Sequence, residues 1–390
     1  MKKIYPNWLV LVLFSALLAC SSPQKTDHAS MQEAVGNIET KSLTDASVTA
    51  YQSTADPFDA QDLRPLMDKA EAYVEKWEAV TYQDDGYDLK IKFEVANLGF
   101  GDFKGRVSGR LRLRAASETL ETFEFDKKFS ESQWSYGKDG FRVTMGDWEI
   151  SGEPGAVKIT GTASGETGSL SFDYELRGEA WRPGNGTAFF GRELAFFFTN
   201  NILITQAEVH ATLVRDGKIL NSDGGVGFVD HYATNLGAHV MADRMVYLRD
   251  HEGDVFLEWR RNDTTATYDH TPFEYFVVGY QGTVIFDSTD LTLNQGDFYT
   301  DPGNHGYSVP KKLHIEAKKG ADSAQLGITV THVNPKDPLA NLPALEKAVA
   351  ESVAQPTSFD LKVDWRLDLE VLGEAATVEG SGSFTITVLR

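Results

Sequence analysis

Histidines that directly follow an aspartate are the residues of this chain that most resemble parts of a catalytic site. The second half of the chain has three such pairs, Asp230-His231, Asp250-His251 and Asp269-His270. Neighbouring residues on a β-strand point to opposite faces, so none of these pairs is a ready-made acid–histidine dyad. No histidine pair has the i, i+2 or i, i+4 spacing of a preformed metal-ligand pair, and a Gly-x-Ser-x-Gly elbow, a glycine-rich phosphate loop and a His-Glu-x-x-His helix are all missing. We therefore expect neither a metal ion nor a cofactor.

The stretch that contains Asp230 and His231 is the most distinctive in the chain. A glycine-rich run, Gly224-Gly225-Val226-Gly227, leads into it, and Tyr232 follows it directly. His231 would be either a core histidine bonded to the backbone or a polar contact and proton donor at the end of a pocket. Asp230 and His231 are the only catalytic candidates that we name, and His231 and Tyr232 are also candidate ligand-binding residues.

Four further residues are candidates for ligand contact. His239 and Arg244 lie on the next segment, where Arg244 shares a predicted strand face with apolar residues. Arg244 would bind a lipid carboxylate or phosphate, or it would pair with an internal acid such as Glu208. Trp181 and Phe197 stand where we expect the domains to join, so they would form ligand walls or simply fill the core.

Cys20 closes Leu17-Leu18-Ala19-Cys20, which is typical of the cleavage and lipidation site of a bacterial lipoprotein. The basic Lys2 and Lys3 and a short apolar run precede it, so residues 1–19 are predicted to be a signal peptide. Acyl chains on Cys20 would anchor the protein to a membrane. Because Ser21 resembles the outer-membrane sorting pattern, we expect an outer-membrane lipoprotein that faces the periplasm.

The overall charge limits the possible partners. The chain carries a net charge of -20, and removal of Lys2 and Lys3 with the signal peptide brings it to -22. Nucleic acid and anionic membrane surfaces are therefore excluded as expected partners. Cys20 is the only cysteine, so disulfides, a cysteine nucleophile and a thiolate metal site are excluded as well.

The hydrophobic pattern predicts an all-β protein of two successive antiparallel units, each a sandwich or a barrel, with a few short helices. Residues 20–59 have the polar composition of a flexible tether, and apolar residues at helical spacing predict an amphipathic helix over 62–77. Strict alternation then begins at Tyr87 and recurs in short runs separated by turns to the end of the chain. We assign residues 60–200 to the first barrel and 201–390 to the second, with one late helix beginning at Asn341.

The glycine-rich run with Asp230-His231 and the strand that follows resemble the two-domain lipocalin-like superfamily. That superfamily joins hydroxyneurosporene synthases, proteins of attachment operons and fungal cell-survival proteins implicated in ceramide transfer. The resemblance spans about residues 80–290 and implies tandem calycin-type barrels with a lipid or isoprenoid ligand. The hydratase branch has an Asp-His-Asn-Trp motif, whereas this chain continues with Tyr232-Ala233 after Asp230-His231.

Three functions from different classes follow as hypotheses. The favoured one is a membrane-anchored lipoprotein that binds or carries a small apolar ligand, a lipid or isoprenoid, in one or both barrels, and is not an enzyme. The second is a hydratase or isomerase in which His231 and a carboxylate, Asp230 or Asp243, protonate an alkene while the pocket excludes water. The third is a non-catalytic assembly lipoprotein of the envelope.

Overall fold

The computed structural model describes residues 48–52, 57–83, 86–97, 103–113, 121–138, 140–165, 168–303, 306–340, 347–348, 351 and 354–390. Antiparallel strands dominate this part of the chain and its helices are short, so the predicted all-β class is confirmed. Cys20, the signal peptide and most of the tether lie outside the described residues. Within the described ranges no helix is both long enough and apolar enough to cross a membrane.

The first sheet is built from the described strands between residues 48 and 234. They are β1 (Val48–Thr49), β2 (Val74–Tyr82), β3 (Tyr87–Ala96), β4 (Lys104–Leu113), β5 (Glu121–Phe129), β6 (Trp134–Tyr136), β7 (Phe141–Met145), β8 (Trp148–Glu153), β9 (Ala156–Gly165), β10 (Gly168–Arg177), β11 (Thr187–Phe190), β12 (Phe196–Arg215) and β13 (Lys218–Thr234). Their order is β5-β4-β3-β2-β13-β12-β10-β9-β8-β7-β6, and β11 pairs with both β1 and β12. Strands β2 and β13 are therefore neighbours in the middle of the sheet, although they lie far apart in the sequence.

The second sheet follows a simpler path. Its strands are β14 (Ala242–Glu252), β15 (Val255–Thr264), β16 (Pro272–Tyr280), β17 (Thr283–Ser288), β18 (Asp290–Thr300), β19 (Ser308–Lys319), β20 (Asp322–Lys336), β21 (Thr357–Val371) and β22 (Glu374–Val388). Their order is β17-β16-β15-β14-β22-β21-β20-β19-β18. The sheet curls until β17 contacts β19, so that it encloses its own core.

Alternating polarity explains why these segments form strands. On β3, Leu89, Ile91 and Phe93 face the first core and are at most 2% exposed, while Lys90 and Lys92 lie on the opposite face. The same period of two continues along β21, where apolar side chains enter the second core. The predicted strands at 107–113, 123–129, 157–162 and 170–176 are all confirmed within a few residues.

Apolar residues form three buried clusters. One fills the inside of the first sheet and another the inside of the second. The third lies between the two sheets, with Phe198 and Tyr232 from the first and Phe256 and Tyr275 from the second. This third cluster is buried and aromatic, so the two barrels pack against each other partly through apolar aromatic contacts.

The helix predicted over residues 62–77 is wrong. The structure has a short 3-10 helix, Ala60–Leu63, and then an irregular segment that leads into β2. The apolar residues are buried even so, because the indole nitrogen of Trp77 donates to the Leu63 carbonyl at 3.1 Å and the segment packs on the first core. Of the late helix, Lys347, Ala348 and Glu351 are helical, and its predicted apolar positions lie outside the described residues.

The predicted boundary at residue 200 is also displaced. Strands β12 and β13 both belong to the first sheet, and the second sheet begins only with β14 at Ala242. Between them lies a single α-helical turn, α1 (Ala238–Met241). Besides Ala60–Leu63 and the late helix, the described helices include the 3-10 turns Glu131–Gln133, Arg192–Leu194 and Ala266–Tyr268. Alternation identifies strands, but it does not show with which sheet each strand pairs.

Candidate ligand site between the barrels

A cavity of about 140 Å³ lies where the two sheets meet. The first sheet contributes side chains from β2, β3, β4, β12 and β13, and the second contributes side chains from β14, β15 and β22. The cavity therefore lies between the barrels, although a carrier protein was expected to hold its ligand inside one or both of them. Each barrel interior is occupied by its own apolar side chains.

The cavity is rich in positive charge, although the protein as a whole is strongly negative. Its basic lining residues are Lys76, Lys90, Arg110, Arg112, Arg249 and Arg260. Its acidic lining residues are Glu78, Asp88, Asp230 and Asp250. Six formal positive charges against four negative ones make the lining net positive, which favours an anionic group in the cavity.

Arg249 joins the two barrels on one wall of the cavity. Its Nη1 and Nη2 donate to the two oxygens of Asp230 at 2.8 and 2.6 Å, and its Nε donates to Glu258 at 2.6 Å. Asp230 belongs to β13 of the first sheet, while Arg249 and Glu258 belong to β14 and β15 of the second. Burial raises the pKa of Glu258, and the neighbouring Arg249 opposes that rise.

Arg260 is a buried cation with a weaker set of partners. Its Nη1 donates to the side-chain oxygen of Asn200 at 2.7 Å, and its guanidinium carbon lies 4.6 Å from the centroid of the Tyr247 ring. Its Nε is buried without a hydrogen-bond partner. Within the described part of the chain no carboxylate is hydrogen-bonded to this guanidinium. Asn200 in turn donates to the Tyr275 hydroxyl, and that hydroxyl donates to Glu258.

Lys76 is the second under-partnered cation of the cavity. Its side chain is only 8% exposed, and its Nζ lies 4.7 Å from the centroid of the Tyr232 ring. Burial lowers the pKa of Lys76 to about 7, against the opposing effect of Glu78. Lys90 on the adjacent strand differs in that its Nζ lies 2.6 Å from Glu78.

His231 lies on the other face of β13, inside the first barrel. Its Nε2 is 2.6 Å from Glu75 Oε1, its Nδ1 is 3.2 Å from the Asn201 amide nitrogen, and its ring stacks on Trp77 at 5.3 Å between centroids. The Tyr73 hydroxyl donates to the second oxygen of Glu75. All of these polar groups are buried, so the described contacts give His231 a structural role in the core.

The structure does not bring the proposed alkene-protonating groups together. Asp230 faces the cavity and is held by Arg249, while His231 faces away from it. Asp243, the other proposed acid, lies 3.2 Å from His270 Nδ1. Asp230 and Tyr232, the two residues next to His231 in the predicted motif, both line the cavity.

The other candidate residues have structural partners. Arg244 points into the second barrel and donates to Asp263 at 2.6 Å and to Gln295 at 2.9 Å. Of the two interpretations left open for Arg244, this geometry corresponds to the internal ion pair, with Asp263 as the acid in place of Glu208. His239 is half-buried in α1 and does not line the cavity.

The two aromatic candidates separate into different environments. Trp181 packs on the ring of Tyr275 at 5.2 Å between centroids, so it belongs to the interface between the barrels. Phe197 packs against the first core and does not line the cavity. Neither forms a cavity wall, so both residues support the packing of the barrels.

Sequence reasoning missed the main basic residues of the site. The predicted helix included Lys76, Arg249 was not singled out within the long run at 244–259, and Arg260 lies directly after that run. A signal was present, since each of these cations interrupts an otherwise buried strand pattern. The pairing of sheets that places them in one cavity is not visible in the sequence.

No family model and no curated protein matches this chain. Among solved structures, CghA matches with a TM-score of 0.50 and 10% identity over 88% of this chain and 98% of that one. An AttH protein from Nitrosomonas europaea gives a TM-score of 0.48 with 14% identity over 86% and 97% of the two chains. Kievitone hydratase from Nectria haematococca gives 0.46 with 12% identity over 87% and 98%. At these identities the likeness to CghA concerns the fold alone, and it supports the lipocalin-like architecture predicted from the sequence.

Proposed function

We propose that this protein is a membrane-anchored lipoprotein that binds a small amphiphile, with an acidic head group, in the cavity between its barrels. The observation that carries the proposal is Arg260, a buried guanidinium whose Nε has no partner and whose described hydrogen bond goes to a neutral amide. A buried N–H donor without an acceptor is costly, and a ligand carboxylate or phosphate that accepts from this Nε would remove that cost. The cavity lining as a whole also carries more basic than acidic side chains.

The apolar lining sets the other half of the ligand. Val80, Leu89, Phe228, Met245 and Phe384 contribute apolar surface to the cavity. A cavity near 150 Å³ accommodates a molecule of the size of benzene, so 140 Å³ suits an acidic head and a short part of an apolar body. A lipid or isoprenoid acid meets both requirements, with the rest of its chain extending through the open side of the cavity.

Native mass spectrometry of the protein as isolated from cells tests this proposal. The mature chain with Cys20→Ala, which lacks the lipid anchor, should carry a near-stoichiometric organic acid or phosphate ester, and Arg260→Met should lose most of it. Arg366→Met is the matched control, because Arg366 is exposed and does not line this cavity. A protein that co-purifies with no ligand, or with a neutral one that Arg260→Met retains, would refute the proposal.

The anchor is a separate part of the proposal and rests on residues 17–20. The intact chain should sediment with outer membranes and face the periplasm, and Cys20→Ala should release it into the soluble periplasmic fraction. Because Cys20 is also part of the predicted cleavage site, the variant is made with a cleavable signal peptide in place of residues 1–19, and its retention in the membrane fraction would then contradict lipid anchoring at Cys20.

A hydratase or isomerase is the second candidate function, and the position of Lys76 favours it. An amine with a pKa of about 7 on the cavity wall suits proton transfer near neutral pH, a role that His231 cannot fill from the inside of the barrel. If the bound ligand is a polyene, incubation should convert it to a hydrated or isomerised product, and Lys76→Met should abolish the conversion. Unchanged ligand after prolonged incubation would leave binding as the function.

A further inference from the structure

Lys76 differs in its contacts from the other lysines in a row of buried charged residues on the outer face of β2 and β3. Three lysines and two glutamates stand there. Lys90 contacts Glu78 at 2.6 Å and Lys92 contacts Glu94 at 2.7 Å, so both carboxylates already have an ammonium partner. Among the described residues, no hydrogen bond or ion pair reaches the Lys76 amine, and the ring of Tyr232 is its contact.

This arrangement disfavours the protonated form of Lys76. Glu78 from its own strand, Glu94, Lys90 and Lys92 from β3, and Tyr232 from β13 face it. The two lysines repel its charge, and burial disfavours the charged form. A neutral amine that lines a cavity and is flanked by other cations has the features of a lysine nucleophile.

We propose that Lys76 forms a reversible imine with an aldehyde or ketone bound in the cavity between the barrels. The nitrogen lone pair adds to the carbonyl carbon, and the carbonyl oxygen takes up a proton to give a carbinolamine. Loss of that hydroxyl as water leaves a C=N bond, and hydrolysis reverses the sequence without any oxidant or reductant. The inference rests on the proposed function and deepens it, because Arg260 on the same cavity makes an oxo acid the ligand class.

The experiment traps the imine in the otherwise intact mature chain with Cys20→Ala. The protein is incubated with benzaldehyde and sodium cyanoborohydride, and the N-benzyl lysines are mapped by peptide mass spectrometry. At pH 7.5 an amine with a pKa of about 7 is mostly neutral, whereas one with the usual pKa near 10.4 is neutral in about one molecule per thousand. We expect at least tenfold higher occupancy at Lys76 than at Lys92, with a half-maximal rate near pH 7.

Lys92 provides the matched control because it is buried on the neighbouring strand and paired with Glu94, but does not line this cavity. Lys92→Arg should leave the labelling of Lys76 unchanged, whereas Lys76→Arg should remove the dominant adduct. Labels spread over exposed lysines with Lys76 unmodified, or a half-maximal pH near 10 at Lys76, would overturn the inference. The wild-type map alone decides the point if a variant fails to fold.

A second probe, 4-carboxybenzaldehyde, separates the two proposals. If both hold, it should label Lys76 at a lower concentration than benzaldehyde does, and Arg260→Met should cancel that advantage. Labelling of Lys76 with no advantage from the carboxylate would keep the imine and refute acid binding at Arg260. Reversible, Arg260-dependent binding in a thermal-shift assay without any adduct at Lys76 would keep acid binding and refute the imine.

Discussion

Replacing Arg249 by methionine should weaken the protein more than any other single change at the interface. The substitution removes three hydrogen bonds to carboxylates, two to Asp230 and one to Glu258. Bonds of this kind contribute roughly 1.5–3 kcal/mol each, and loss of one partner of a buried ion pair typically costs about 3–5 kcal/mol. Asp230 also lines the cavity, where water can reach it, so we expect a loss of about 3–5 kcal/mol and not the full sum.

The loss should depend on pH in a defined direction. Burial already raises the pKa of Glu258, and removal of Arg249 takes away the charge that opposes this rise. The folded variant therefore binds a proton at Glu258 more readily than the unfolded chain does, and that proton relieves the uncompensated charge at low pH. The destabilisation should be smaller at pH 5 than at pH 8.

Urea titration followed by tryptophan fluorescence measures this effect at both pH values. Arg366→Met is a close control, since Arg366 makes the same three bonds, two to Asp368 at 2.9 and 3.0 Å and one to Glu379 at 2.9 Å. Its side chain is 56% exposed, so solvent screens the pairs and the urea midpoint should not change measurably. Equal effects of the two substitutions, or a loss below about 1 kcal/mol for Arg249→Met, would refute the reasoning.

Three further expectations concern other parts of the molecule. Gly380→Ala would place a methyl carbon 2.3 Å from the Trp365 ring and should cost about 1–3 kcal/mol in urea titrations, whereas Gly327→Ala, with its nearest atom at 3.9 Å, should be tolerated. Lys76→Met removes an amine whose pKa burial lowers to about 7. The folded chain binds the proton of this amine less readily than the unfolded chain does, so the variant should be more stable than the wild type. In the same assay this gain in stability should be about 2–3 kcal/mol larger at pH 6 than at pH 9. His231→Ala should cost about 2–3 kcal/mol because it leaves Oε1 of the buried Glu75 without a partner, while the amount of co-purifying ligand stays unchanged because this side chain faces away from the cavity.

The strands were predictable because their signal is local. The alternation of Leu89, Ile91 and Phe93 with lysines fixes both the strand and its buried face, and it survives in the structure. The helix predicted over 62–77 was wrong because apolar residues at helical spacing can also be buried by an irregular segment that packs on a barrel. The hydrogen bond from Trp77 to Leu63 is part of that packing. Local periodicity does not distinguish these two ways of burying the same residues.

The site was predictable only in part, because pairing between distant strands determines it. The motif around Asp230 and Tyr232 did mark one wall of the cavity. The opposite wall comes from β14 and β15, and the floor includes Lys76 from β2, which pairs with β13 only in the folded sheet. The side of β13 on which His231 lies is likewise a matter of register, since a shift by one residue would exchange it with Asp230.

A cavity with one wall on each barrel couples its occupancy to the docking of the barrels. A ligand that fits only the joined walls adds a free energy of RT ln(1 + [L]/Kd) to the association of the two halves. By the same thermodynamic cycle, a partner that separates the barrels lowers the affinity for the ligand by the factor by which the ligand lowers the affinity for that partner. Retention and release would then be governed at the seam between the domains and not at the mouth of either barrel.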